Sequence, residues 1–232
     1  METATFENTV ITSLRDRFGR TATYLRVSLT DRCMLRCRYC MPEKGMAFLN
    51  PEELLTLAEL LRLISLFADM GVRRLRLTGG EPLLFTGLPE LISEVRSRTS
   101  IDDISITTNG QRLAGLAAPL KERGLRRVNI SLDSFRPERF LSIAGRGNLA
   151  STLGGIEAAR RTGLTPIKIN CVVMRGINDD ELADFCAFAA EKKVVVRFLE
   201  MMPTHFTQDG ADLLVPVREM MEIMRQSGLE IR

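Results

Sequence analysis

Apolar positions along the chain recur with two alternating periods. Runs at residues 22–29, 72–78, 102–108, 126–133, 165–173 and 194–200 read as strands, and amphipathic stretches of helical length separate them. That alternation predicts a parallel sheet with helical crossovers. Asn50-Pro51-Glu52-Glu53 carries the signals that open a helix: a cap, a proline for the first turn and a capping-box glutamate. Gly71 supplies the stop, so the first long helix is expected from Pro51 onward. Six βα units with right-handed crossovers predict an α/β fold, a partial, open (β/α)6 TIM-type barrel with its active site at the C-terminal ends of the strands. Residues 1–20 read as an N-terminal tail, 21–203 as the barrel, and 204–232 as a loop and helix that start a truncated C-terminal region. The loop covers 203–214, and the helix runs from about Val217 to Gln226 before Gly228.

The polar positions inside the strands fall on one face. Asn129, Ser131 and Asp133 alternate with Val128, Ile130 and Leu132, and Lys168 and Asn170 alternate with Ile167, Ile169 and Cys171. A closed barrel interior is packed with branched aliphatics, so a polar inner face predicts a wet cavity that holds a polar ligand. Polar groups also gather at strand ends: Thr78-Gly79-Gly80-Glu81-Pro82, Thr107-Thr108-Asn109-Gly110, Ser131-Leu132-Asp133, Lys168-Ile169-Asn170 and Glu200-Met201-Met202. Glu81 is a candidate acceptor for a ligand amino group. Arg26, Arg76 and Lys168 lie on the strands, where burying them unpaired is costly, so an anionic partner such as a phosphate-bearing substrate is expected. The competing reading pairs them with Asp133, Glu81 or Glu200.

Composition narrows the setting. In 232 residues, 45% hydrophobic and 26% charged, there is material for one large folded domain. The excess of 32 basic over 29 acidic side chains leaves a net charge of +3, no basis for a nucleic-acid or membrane partner. Glu59 and Arg62 interrupt the apolar stretch 54–67, and the N-terminus lacks the order of a signal peptide, so the chain reads as soluble and cytoplasmic.

Three of the five cysteines, Cys33, Cys37 and Cys40, share one loop with the spacing C-x3-C-x2-C. Clustering of this kind points to metal or catalysis rather than disulfides. Three thiolates can hold three irons of a [4Fe–4S] cluster and leave the fourth open. An open iron can bind the amino and carboxylate groups of S-adenosylmethionine, and one electron from the cluster then releases a 5′-deoxyadenosyl radical. A zinc site would need the single histidine, His205, to fold back from the far end of the chain. Cys171 and Cys186 fall at apolar positions and read as core.

Longer motifs carry a resemblance. Tyr24-Leu-Arg-Val-Ser-Leu-Thr-Asp-Arg-Cys33, Cys40-Met-Pro-Glu, Leu77-Thr-Gly-Gly-Glu-Pro82, Thr108-Asn-Gly110, Val128-Asn-Ile-Ser-Leu-Asp-Ser134, Gly145-Arg-Gly147, Met174-Arg-Gly-Ile-Asn-Asp-Asp-Glu181 and Arg197-Phe-Leu-Glu-Met-Met-Pro203 together resemble the GTP 3′,8-cyclase family of radical S-adenosylmethionine enzymes. The resemblance implies conversion of GTP to (8S)-3′,8-cyclo-7,8-dihydroguanosine 5′-triphosphate, a lyase step that begins molybdenum cofactor biosynthesis. It implies Cys33, Cys37 and Cys40 as cluster ligands, Tyr39, Gly80, Ser131 and Met202 as S-adenosylmethionine contacts, and Arg26, Arg76, Thr107 and Lys168 as GTP contacts. A reducing electron donor and a downstream cyclic pyranopterin monophosphate synthase follow as partners, and a homodimer is left open. The family also carries a second [4Fe–4S] cluster on three further cysteines, an arginine run and a Gly-Gly tail that this sequence lacks, and Met34 and Phe85 depart from its usual residues. The expectation is therefore a truncated cyclase that holds the first cluster and turns over GTP poorly. The alternatives are a single-cluster radical enzyme acting on another nucleotide or a peptide, and a non-catalytic binding barrel.

Overall fold

The computed structural model describes residues 14–40, 47–202 and 212–230. Six strands, β1 (Tyr24–Ser28), β2 (Arg74–Thr78), β3 (Asp103–Thr108), β4 (Arg127–Ser131), β5 (Lys168–Val173) and β6 (Val195–Glu200), form one sheet whose spatial order is the chain order. Every neighbouring pair is parallel. The sheet does not close: β1 and β6 are its two edges. Helices α1 (Leu57–Asp69), α2 (Leu88–Arg98), α3 (Leu113–Glu122), α4 (Pro137–Ala144), α5 (Leu149–Arg161) and α6 (Leu182–Lys192) fill the crossovers, and α7 (Val217–Gln226) follows β6. All six expected strands are present, and α7 has the expected bounds.

The alternation within strands decides which face the helices cover. Leu75, Leu77, Ile104, Ile106, Val128, Ile130, Ile169 and Cys171 are fully buried beneath helix residues such as Ile64, Leu91, Ile92, Leu113 and Ile156. Each such side chain contributes roughly 1.5–3 kcal/mol relative to exposure, so slipping one strand by a residue would forfeit several of them. The opposite face stays polar, as the parity predicted.

The first helix starts later than its sequence signals implied. Asn50 and Glu53 do form a capping box, with Asn50 N–H donating to Glu53 Oε2 at 2.8 Å, but it closes only a single 3-10 turn at Pro51–Glu53. The chain then turns extended at Leu54, and a second capping box on Thr56 and Glu59 opens α1. Two boxes six residues apart compete, and the second leads into the apolar repeat of Leu57, Leu60, Leu61 and Ile64, whose burial sustains a helix. Of the expected tail, residues 15–21 form a small turn held by Asp16, which accepts from the backbone N–H groups of Phe18 and Arg20. Residues 1–13, most of the 203–214 loop and His205 lie outside the described residues. No described helix is long and apolar enough to cross a membrane.

Candidate active site

The cysteine loop leaves the C-terminal end of β1 and is seated on two glycine-containing segments. Gly80 N–H donates to Thr30 O at 2.6 Å and Glu81 N–H to Arg32 O at 2.8 Å. A Cβ at Gly80 would stand 2.4 Å from that Arg32 oxygen, so only glycine permits this approach. On the other side, Arg36 N–H donates to Ala144 O at 2.8 Å and Arg38 N–H to Ile143 O at 3.0 Å. Gly145 closes α4 in the left-handed region (φ 67°), and a Cβ there would lie 2.7 Å from Arg36 O. The Gly-Gly-Glu-Pro and Gly-Arg-Gly motifs are thus the two supports of the cysteine loop.

Cys33, Cys37 and Cys40 line one cavity of about 470 Å³ together with Tyr39, Gly80, Thr107, Asn109, Ser131 and Asp133. Burial pushes all three thiols up, that of Cys40 to about 11, and the Asp133 carboxylate adds to the effect at Cys37 and Cys40. Thiols so placed stay neutral until a cationic group binds and draws off their protons. Among the described residues, no three His, Cys, Asp or Glu side chains converge tightly enough to hold a single metal ion. Three cysteine thiols lining one cavity are a donor set for a [4Fe–4S] cluster with one iron left open.

Two carboxylates in this region have partners that the sequence did not indicate. Glu81 is almost fully buried, and its oxygens accept from Thr108 Oγ1 (2.6 Å), Leu83 N–H (3.0 Å) and Asn109 N–H (2.8 Å). These bonds hold the β3 end in place, and Glu81 still lines the cysteine cavity with acceptor capacity left on its carboxylate. Asp133 accepts from Tyr39 Oη at 2.7 Å and from Val172 N–H at 2.8 Å, and burial raises its pKa to about 6. Asp133 therefore ties the cysteine loop to β5. Asn178, from the Met-Arg-Gly-Ile-Asn-Asp-Asp-Glu motif, braces it by donating through Nδ2 to the Asp133 carbonyl (2.7 Å) and to Val172 O (2.9 Å). In the same motif the buried Glu181 accepts from Ser134 Oγ and Phe135 N–H, each at 2.7 Å.

Further along the inner face the character changes. Arg26, Arg76, Ser105 and Arg127 stand side by side in the register of β1 to β4, and Lys168 and Arg197 face them from β5 and β6. Burial lowers the pKa of Arg76, with Arg197, Arg26 and Arg127 adding to the effect. Lys168 is lowered by burial and then by Arg197, Arg127 and Arg76. Asp103, paired with Arg127, is the acidic partner found here among the described residues. Asp133, Glu81 and Glu200 bond elsewhere, the last accepting from Val217 N–H at 2.6 Å, so the internal pairing considered for Arg26, Arg76 and Lys168 does not occur with them. Nε of Arg76, Arg127 and Arg197, Thr107 Oγ1 and Asn170 Oδ1 are buried without a hydrogen-bond partner among the described residues. Such a concentration of unsatisfied donors beside like charges is stabilised by an anion.

The structure brings Cys33, Cys37, Cys40, Tyr39, Gly80, Ser131 and Thr107 to the cavity, and Arg26, Arg76 and Lys168 to the basic face. Met202 is 76% exposed and outside the cavity lining, which β6 reaches through Leu199. Arg127, Arg197 and Asp133 were not singled out as ligand contacts; strand parity with Asn129, Asn170 and Ser131 is the signal that would have found them.

A protein-family model described as the radical SAM superfamily matches residues 27–189. The chain belongs to this superfamily. Radical SAM proteins use S-adenosylmethionine with a [4Fe–4S] cluster, and the three-cysteine cavity has the donor set that chemistry requires. Among curated relatives, the chain is 44% identical over 218 residues to the GTP 3′,8-cyclase of Listeria monocytogenes, covering 94% of this chain and 66% of that protein. It is 49% identical over 188 residues to the GTP 3′,8-cyclase of Heliobacterium modesticaldum, covering 81% and 58%. The chain thus spans somewhat less than two thirds of the relatives' length. Among solved structures, Streptococcus suis SuiB bound to S-adenosylmethionine superposes with a TM-score of 0.69 at 16% identity, covering 88% of this chain and 47% of that one. At that identity the likeness speaks for the open parallel barrel alone.

Proposed function

We propose that this radical SAM chain carries the GTP-binding and radical-generating part of a GTP 3′,8-cyclase. The observation that carries the reading is the juxtaposition of a three-cysteine cavity with a basic inner face whose buried guanidinium nitrogens lack partners. The naming of the relatives as GTP 3′,8-cyclases supports it. Cys33, Cys37 and Cys40 hold the cluster, and Tyr39, Gly80 and Ser131, which line the same cavity, contact S-adenosylmethionine; Met202 joins them only by family resemblance. When bound there, the cluster would supply the low-potential electron for reductive cleavage of S-adenosylmethionine, and these residues would hold the two groups beside the ribose of GTP. Arg26, Arg76 and Lys168 clamp the triphosphate by charge, while Thr107, lining the cavity next to the basic strands, orients the nucleoside toward the cysteines. The two supports beneath the cysteine loop keep that distance fixed. A low-potential electron donor and an enzyme consuming the cyclised nucleotide are the partners this chemistry requires.

Anaerobic reconstitution with iron and sulfide, followed by incubation with GTP, S-adenosylmethionine and reductant, tests the reading. The expected result is one [4Fe–4S] cluster on these cysteines, 5′-deoxyadenosine formation, and GTP affinity that falls in Arg76→Ala. Cluster assembly with no GTP affinity and no effect of Arg76→Ala would favour a radical enzyme acting on another substrate. An intact cluster that yields no 5′-deoxyadenosine would leave a non-catalytic barrel.

A further inference from the structure

Asn109 directly follows β3, with every polar group of its side chain directed. Its Oδ1 accepts from Gln111 N–H at 3.0 Å, which fixes the orientation of the amide. The two Nδ2 hydrogens are thereby left toward sulfur: Nδ2 lies 3.7 Å from Cys33 Sγ and 3.1 Å from Met34 Sδ. The backbone is held as firmly, since Asn109 N–H donates to the buried Glu81 carboxylate (2.8 Å) and Thr152 Oγ1 donates to Asn109 O (2.9 Å). Leu35 N–H already donates to Cys33 Sγ at 3.4 Å, so the side chain is a second, separately anchored donor to the same sulfur. Nothing in the anion clamp or in the cavity's ligand chemistry needs an amide pinned at this sulfur.

We infer that Asn109 is a positioning residue that donates an N–H···S hydrogen bond to Cys33 in the loaded protein and so raises the reduction potential of the cluster. The inference rests on the reading that Cys33 is a cluster ligand. Reduction adds one electron to the cluster, taken from an external low-potential donor, with no bond made or broken. The added negative charge resides partly on the ligand sulfurs, and a donor aimed at one of them stabilises the reduced state more than the oxidised one. Glu81 acts through Asn109: by fixing the β3 end it holds the amide at the sulfur. The four glycine- and threonine-rich residues Thr107–Gly110 therefore serve both regions of the site, Thr107 toward the anion clamp and Asn109 toward the cysteines.

The test is a mediated redox titration of the reconstituted cluster, followed by electron paramagnetic resonance without S-adenosylmethionine or GTP present. Iron and sulfide content is measured on every sample. Asn109→Asp keeps the shape and the acceptor for Gln111 N–H but replaces the donor with negative charge, and Asn109→Ala removes the donor. At a fixed poise near the wild-type midpoint, the reduced-to-oxidised ratio is expected to fall about three- to tenfold in Asn109→Ala, the range for one lost hydrogen bond. The fall should be larger in Asn109→Asp. A midpoint unchanged in both variants, at wild-type iron and sulfide content, would falsify the inference. Wild-type protein without iron would instead sink the cluster reading, so the two failures are distinguishable. Should neither variant take up a cluster, pulsed resonance on wild-type protein labelled with ¹⁵N in its asparagine side chains decides: a weak ¹⁵N coupling to the reduced cluster supports the bond, and its absence overturns it.

Discussion

The two halves of the inner face treat their polar groups in opposite ways. Around the cysteine loop, the buried polar side chains close on one another: Glu81 on Thr108 and Asn109, Asp133 on Tyr39 and Val172, Asn178 on the β4 and β5 ends. Along the basic face, three guanidinium Nε atoms and Thr107 Oγ1 are buried with no partner among the described residues. Asp31 Oδ1 apart, the first region is satisfied by its own groups, which suits a place that must hold sulfur ligands in fixed positions. The second is finished by its ligand. Self-satisfaction marks the scaffold of a site, and concentrated dissatisfaction marks its binding surface.

The comparison breaks most sharply at the cysteines. Cys37→Ala is expected to abolish stable cluster assembly, seen as near-complete loss of bound iron after reconstitution, while the apo protein keeps its affinity for nucleoside triphosphate. Joint loss of both properties would show that the regions are not separable. On the basic face, Arg76→Leu should weaken triphosphate binding about tenfold or more by calorimetry and reduce its salt dependence. The same variant should raise the low-salt melting temperature of the apo protein, because a desolvated charge facing Arg26, Arg127 and Arg197 is gone. A fall in melting temperature would mean that the face is paired after all.

Asp133 offers a pH test of the satisfied region. Its carboxyl is pushed up from an ordinary 3.8 to about 6 in the folded protein, because burial outweighs the hydrogen bonds from Tyr39 and Val172. Between those values the folded state binds more protons than the unfolded one, so stability conferred on the acid side is lost as pH rises from about 4 to 6. The swing is at most about 3 kcal/mol from two pKa units. Chemical denaturation of apo Asp133→Asn should lack this slope; an unchanged slope would assign the titration to another group.

The smallest effects fall on two adjacent threonines. Thr108→Val removes the hydroxyl bonded to buried Glu81 and should cost about 1–3 kcal/mol by leaving a carboxylate oxygen short of a donor. Thr107→Val removes a hydroxyl that has no partner among the described residues and should leave stability equal or higher, by up to about 1 kcal/mol, while weakening nucleotide binding. Equal destabilisation in urea melts of both variants would erase the contrast between the two regions.

Much of this was legible before any coordinates. The six strands, α7 and the polar inner face follow from period-two and period-3.6 patterning, because side-chain alternation is a local property of the backbone. The cysteine spacing named a chemistry, because ligands within eight residues of one loop meet without help from the rest of the fold. The start of α1 is not legible locally, since two capping boxes of equal local merit differ only in which one leads into a buried stripe. The donors that meet Glu81 were not legible either, because Thr108 and Asn109 come from the β3 end, far along the chain.

What the sequence determined by itself was thus the set of elements, the facing of each strand and the three-thiol loop. Only the tertiary structure decided which charges meet. Arg127 and Arg197 lie far apart in the chain yet join Arg26, Arg76 and Lys168 because register aligns their strands. Asp133 reaches Tyr39 across 94 positions, and Asn109 reaches Cys33 across 76, because packed glycines let the cysteine loop lie directly on the strand ends. Local patterning sets what each residue offers, and long-range packing sets what it is offered to.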